Sequence, residues 1–311
     1  MRTSSETTPD PSFDYVASVN RAIDHVLTHL DRPLPLEVVA QAASFSPFHF
    51  HRVFKSLTGE TLNQFVKRVR LERAVTMLSH APDRSLTEIA LACGFGSSSD
   101  FSRSFKQRFG VPPSAFDVQT YRDARRERWT GEMPDPERSQ LLERLPPGEN
   151  PDGFEADLLE LPPRTVAYIR VPDPYREGAV IGAIERLMTW AESRGFADNT
   201  WYGYMWDDPE VVAHEDCRYD AAVEVPDDHA PEGEIGRFDF PAMRVGRVEV
   251  RGPIDLEQRA IDWMFGTWLP RSGLLPTDQP AFEVWHGRPF AHGYEHFELD
   301  MHLPVSSGAI H

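Results

Sequence analysis

The feature that most limits how this chain can fold is a repeat. FHRVFKSLTG at 50–59 and FSRSFKQRFG at 101–110 share the skeleton F-x-R-x-F-K and both end in Gly, with Arg52 and Arg103 at matching places 51 residues apart. Aligned at their ends, VAQAASFSPFHFHRVFKSLTG and IALACGFGSSSDFSRSFKQRFG match element for element, with one extra residue in the second turn. Each reads as a short helix, a turn and a second helix. Phe50 and Phe54, like Phe101 and Phe105, are four residues apart and bury one face, which leaves Arg52 and Arg103 on another, exposed face. The chain therefore contains two helix-turn-helix motifs. Two basic helices on one support can enter successive major grooves on one side of a duplex, about 34 Å or roughly 10 base pairs apart.

The surrounding sequence is helical in pattern. Val16, Val19, Ile23, Val26, Leu27 and Leu30 recur at helical spacing, and Pro33 and Pro35 end that helix. Ser46 followed by Pro47 forms an N-cap with proline at the first helical position, and Gly59 closes the helix it opens. TLNQFVKRVRLERAVTMLSHA then predicts a long helix that holds the two copies apart. Its apolar side is Leu62, Phe65, Val66, Val69, Ala74, Met77 and Leu78, with Lys67, Arg68, Arg70 and Arg73 on the other sides. Ser85 and Glu88 stand in capping-box spacing, and Gly94 is a C-terminal stop.

Charge is divided as unevenly as structure. Residues 13–128 hold 16 Lys and Arg against 12 Asp and Glu, whereas residues 129–311 hold 15 against 35, within a chain of 311 residues and net charge −17. Such a division is expected where only the first part meets a polyanion. The segment 129–153, with five prolines and three glycines, reads as a linker. This gives an expected organisation of a disordered N-terminus at 1–12, a DNA-binding domain at 13–128, the linker, and a second domain at 154–305. Two cysteines, Cys93 and Cys217, indicate no disulfide framework. No apolar run is long enough to span a bilayer, and a cytoplasmic location is expected.

From Phe154 the period changes to two, in EADLLELPPRTVAYIRV, CRYDAAVEVP, AMRVGRVEVRG and HFELDMHLPV, with helices near 178–194 and 255–269. A second repeat lies here: LPPRTVAYIRV…AIERLMTWAESRG matches FPAMRVGRVEVRG…AIDWMFGTWLPRSG. The unit is strand, helix, strand, strand, used twice, and it predicts an α+β domain whose sheets join as a pseudo-twofold concave surface. His286, His292, His296 and His302 stand in no spacing specific for zinc, so no metal or other cofactor is expected.

On these motifs residues 16–122 resemble the DNA-binding domain of the AraC/XylS family of transcription regulators, an all-α domain of seven helices. The resemblance places base-reading positions at Phe48, His51 and Arg52 in the first recognition helix and at Ser99, Asp100 and Arg103 in the second. Arg52 and Arg103 suit bidentate contacts to guanine and Phe48 a thymine methyl, while Lys55, Lys106 and Arg108 suit phosphate. Residues 154–305 resemble the GyrI-like effector-binding domain. FEVW puts Glu283 at the family's central pocket carboxylate, with Trp285 where a tyrosine is usual. Together with Tyr168, Trp201, Tyr204, Trp206 and Trp263, Glu283 implies a pocket for a lipophilic cation. The implied function is that of a non-enzymatic regulator that binds double-stranded DNA across two adjacent major grooves under control of a small-molecule effector, with RNA polymerase as a further partner. The alternative is a GyrI-like domain that also hydrolyses a small electrophile, with Glu283 as base and Tyr204 or Tyr168 as its partner.

Overall fold

The computed structural model describes residues 11–81, 83–132 and 145–307, and the side chains of these apart from 11–14 and 129–132. The expected disordered segment 1–12 lies outside the described residues except at Pro11 and Ser12, and so do residues 133–144 of the expected linker.

Seven α-helices come first among the described residues: α1 (Pro11–Thr28), α2 (Leu36–Ala42), α3 (Pro47–Thr58), α4 (Leu62–His80), α5 (Leu86–Ala92), α6 (Ser98–Phe109) and α7 (Val118–Glu132). Their ends follow local chemistry. Ser85 and Glu88 form a reciprocal capping box, α3 begins at Pro47 after Ser46, and Gly59 and Gly110 end α3 and α6 with φ of 77° and 82°. Gly94 (φ 81°) is required for packing as well: a Cβ there would lie 2.3 Å from the Leu30 carbonyl oxygen. Phe50 and Phe54 join Val19, Ile23 and Val26 of α1 in one core, and Phe101 and Phe105 join Leu71 and Val75 of α4 in another.

The α4 arginines are not a solvated face. Arg68 is buried between Glu60 (2.6 Å) and Glu72 (3.3 Å), Arg70 donates to the Leu30 and Arg32 carbonyls, and Arg73 pairs with Asp278. The cause is that α4 is packed on several sides at once: both motifs lean on it, and so does the C-terminal part, whose Val211, Val212 and Cys217 complete the second core. Three arginines of α7 contact the same part. Arg122 pairs with Asp208 (2.6 Å), Arg126 with Glu210 (2.9 Å) and Asp262 (3.0 Å), and Arg125 donates to the Val212 carbonyl.

Among the described residues the C-terminal part holds one antiparallel sheet of nine strands with helices between them. The strands are β1 (Asp157–Leu161), β2 (Arg164–Pro172), β3 (Trp201–Met205), β4 (Arg218–Glu224), β5 (Gly236–Phe240), β6 (Met243–Gly252), β7 (Leu274–Pro276), β8 (Ala281–Trp285) and β9 (Phe297–Ser307). α8 (Ala179–Arg194) joins β2 to β3. α9 (Ile254–Trp263) follows β6 and runs through a π turn at Met264–Trp268 into α10 (Leu269–Ser272). Strand order is β1-β6-β9-β8-β3-β4-β2-β5, with β7 paired to β9. β3 and β8 pair at the centre, with β4, β2 and β5 on one side and β9, β6 and β1 on the other.

Residues alternate between the two faces of this sheet. Ala167, Ile169, Tyr219, Ala221 and Trp201 pack under α8. Val248, Val250, Leu299 and Met301 pack under α9. The opposite face is a separate aromatic layer of Tyr168, Tyr202, Tyr204, Phe240 and Phe282. Among the described residues no helix is long and apolar enough to cross a membrane.

Candidate functional site

On α3, Phe48, His51, Arg52 and Lys55 are exposed, Phe48 by 77%. An apolar ring that far into solvent has no packing role in the chain itself. On α6, Ser99, Arg103, Lys106 and Arg108 are exposed while Phe101 and Phe105 are sealed beneath them. Asp100 is only half-buried and sits in the first turn of α6, where its backbone N–H donates to the Ser97 hydroxyl (3.2 Å). A carboxylate in that turn favours the helix through the exposed amide dipoles, a structural reason for an acidic residue amid a basic face.

The seven side chains expected to form one effector pocket are not brought together. Tyr168, Tyr204 and Trp206 belong to the aromatic layer, Trp206 edge-on to Phe238 and stacked with Phe240. Trp201, Glu283 and Trp285 point to the helix-covered face, and Trp263 lies on α9 against Phe154. The reason is strand alternation: in WYGYMW, Trp201 faces away from Tyr204 and Trp206, and Gly203 pairs across the sheet with Glu283. The hydrolytic alternative therefore lacks its geometry, because neither Tyr204 nor Tyr168 is on the Glu283 side.

What does surround Glu283 is a polar cluster that includes two residues the sequence reading missed. The Tyr219 hydroxyl and the Trp285 indole N–H each donate to Glu283 Oε2 at 3.0 Å. Glu257, from α9, faces Glu283, and the two carboxyls perturb each other. Both are buried, and no Arg, Lys or His among the described residues bears on either. Burial pushes Glu283 up to about 7, against which the hydrogen bonds from Glu257, Tyr219 and Trp285 act; Glu257 is raised well above the usual carboxylate range by burial and by Glu283. Gly203 leaves the room this cluster needs, since a Cβ there would fall 2.0 Å from the Tyr219 hydroxyl and 2.6 Å from Glu283 Oε2. Gly203→Ala should cost about 1–3 kcal/mol through overpacking, read as a lowered Tm together with a changed fluorescence of Trp201 and Trp285; an unchanged Tm would show that the cluster has slack.

Two family models match the chain. A helix-turn-helix domain matches residues 39–119, and a GyrI-like small molecule binding domain matches residues 154–306. The chain joins an AraC-type helix-turn-helix domain to a GyrI-like domain. Among curated relatives, the uncharacterized HTH-type transcriptional regulator YbfP of Bacillus subtilis is 32% identical over 33% of this chain and 34% of its own. The right origin-binding protein of Escherichia coli is 35% identical over 28% of this chain and 30% of its own. The chain thus spans about a third of the length of these relatives. Among solved structures, the EcmrR C-terminal domain aligns over 50% of this chain and 99% of that one, at 22% identity and a TM-score of 0.38.

In the helix-turn-helix domain the carried-over positions are all placed on α3 and α6, on surface left open by the core. In the GyrI-like domain the residues that sequence reasoning missed are Tyr219, Glu257 and Gly203. The period of two in YDAAVEV shows that Tyr219 shares a face with Ala221 and Val223, but not that this face meets β8. His286 pairs with Asp300 (3.2 Å), and His292 and His296 share Glu298, each 3.6 Å from it. His302 is buried against the Phe282 ring, and burial pushes it down to about 4. Among the described residues no group of three or more His, Cys, Asp or Glu could hold a metal ion.

Proposed function

We propose that this chain is a transcription regulator that binds double-stranded DNA through α3 and α6 and responds to a small hydrophobic cation held in its GyrI-like domain. The observation that carries the DNA half is the paired exposure of matched helices: each recognition helix seals two phenylalanines in the core and turns its Arg and Lys outward. Arg52 and Arg103 read bases. Phe48, His51, Ser99 and Asp100 lie beside them, and Lys55 and Lys106 hold phosphates. The curated relatives named transcriptional regulators support the same reading.

The cationic effector follows from the Glu283–Glu257 pair. Two buried carboxyls, both raised by burial, next to Trp201 and Trp285 and without a basic partner among the described residues, form a site where a cation can replace a proton and meet ring faces as well. Access requires α9 to shift from the sheet. The π turn directly after it, a rare local irregularity that recurs at functional positions, is a natural place for that movement. The outward-symmetric strand order around β3 and β8 supports reading the domain as two copies of one strand-helix-strand-strand unit related by a pseudo-twofold, with the effector near their join.

The test is selection of duplexes from a random-sequence pool by the full chain, followed by titration of the complex with lipophilic cations. The expected result is enrichment of two half-sites about one helical turn apart, with affinity that changes when a cation binds. Recovery of no preferred sequence would overturn the DNA half.

A further inference from the structure

Beside the Arg73–Asp278 pair and the Arg218 guanidinium 5.5 Å from the Phe65 ring centre, two sets of contacts between the domains reach different helix-turn-helix motifs. The first set holds the second motif: Val211, Val212 and Cys217 of the GyrI-like domain lie in the same core as α4, α5 and α6, beside the α7 arginines. The second set centres on Asp24, in α1. Its Oδ2 accepts from the Tyr168 hydroxyl at 2.6 Å, and its Oδ1 lies 2.9 Å from Arg170 Nη2. Arg170 is clamped in turn by Asp220 at 2.8 and 2.6 Å, and Asp220 accepts from the Trp206 indole at 2.6 Å. The guanidinium is 5.0 Å from the Tyr168 ring centre and 5.5 Å from that of Trp206. Arg170 and Asp220 are almost sealed, with side-chain exposures of 3% and 2%, and Asp24 keeps 13%.

Placing a carboxylate from one domain into a buried, already paired arginine site of another carries a large desolvation cost, so the contact holds only while its geometry is satisfied. A small displacement of Arg170 or Tyr168 would release it. Two features give that displacement a source and a consequence. Asp220 directly follows Tyr219, whose hydroxyl donates to Glu283, so movement of β4 at the carboxyl pair is transmitted across the sheet within one residue. On the other side, α1 shares its core with α2 and α3, so Asp24 moves with the first recognition helix and not with the second.

We propose that Asp24 is the contact through which the GyrI-like domain sets the position of the first recognition helix relative to the second. This rests on the chain being a cation-responsive DNA-binding regulator. In the state seen here Asp24 is docked and both recognition faces are open, so the docked state is the one that spans two half-sites. Occupation of the Glu283 site shifts β4, loosens Arg170 and frees α1.

The test uses the full chain as wild type, Asp24→Ala and Tyr168→Phe, with hydrogen exchange along α1–α3 and α5–α6 as the first readout. Exchange in α1–α3 should rise about tenfold or more in Asp24→Ala and less in Tyr168→Phe, with α5–α6 unchanged. Benzyltributylammonium should produce the same pattern in wild type and add little in Asp24→Ala. Affinity for the enriched two-site duplex should fall about tenfold in Asp24→Ala, while affinity for a duplex holding only the second half-site stays level. Unchanged α1–α3 exchange in both variants overturns the proposal, as does an equal loss on both duplexes. Should Asp24→Ala fail to fold, Tyr168→Phe, which deletes one hydroxyl, decides alone. If wild type enriches no duplex, the regulator reading fails, and the exchange data still decide whether Asp24 holds α1 to the sheet.

Discussion

Glu283→Gln is expected to abolish saturable binding of lipophilic cations, weakening the dissociation constant by roughly 30-fold or more, because removing one member of a desolvated charge pair costs about 2–5 kcal/mol. Trp201 and Trp285 flank the site, so quenching of tryptophan fluorescence reports occupancy directly. The pH dependence follows from the raised carboxyl groups. A carboxyl whose folded pKa lies near 7, above its ordinary value of 4.5, is protonated in the folded chain over that interval. Its contribution to stability is complete below the lower value and lost as pH rises through about 7. A cation must displace the Glu283 proton, so wild-type affinity should rise between about pH 5.5 and 8, with close to one proton released per cation at the acid end. Calorimetry in two buffers of different ionisation enthalpy measures that proton. Binding that is equally tight in Glu283→Gln, or proton-neutral at pH 6, would remove the carboxyl pair from the effector site.

The second large effect is on DNA. Arg52→Ala and Arg103→Ala should each cost about 1–3 kcal/mol on the enriched duplex, and should relax preference at one base of the corresponding half-site. Since the two arginines stand on separate helices with no shared partner, the double variant should lose nearly the sum of the two. Lys55→Ala and Lys106→Ala should weaken binding to all sequences alike and reduce the slope of log affinity against log salt by about one each. Band-shift titrations over a salt series separate these outcomes. If Arg52→Ala costs tenfold and Arg103→Ala nothing, the second motif is a spacer and the chain reads a single half-site.

The local part of this architecture was readable residue by residue. A capping box at Ser85 and Glu88, a Pro47 start, glycine stops at 59, 94 and 110, and phenylalanines four apart are all short-range signals, and short-range interactions place helix ends. The same holds for the outward face of α3 and α6, since burying Phe50 and Phe54 leaves Arg52 one place to go. Strand periodicity was equally legible, and within WYGYMW it already put Trp201 on the face opposite Tyr204 and Trp206.

The sequence by itself thus determined the helix pairs, their polarity, the division of charge and the alternation of each strand. Only the tertiary structure decided which strands are neighbours, and so which of two faces joins which. Pairing β3 with β8 put Glu283 beside Tyr219, and the return of α9 over that face added Glu257; neither partner is within 20 residues of Glu283. The same limit hid the role of charge. Arg68 looks solvent-facing on a helical wheel until α4 is enclosed on several sides, and Asp24 reads as an ordinary helix carboxylate until it meets Arg170 across a domain boundary. Alternation and capping are fixed by neighbours along the chain. A buried ion pair is fixed by which surfaces exclude water together, and that depends on the whole fold.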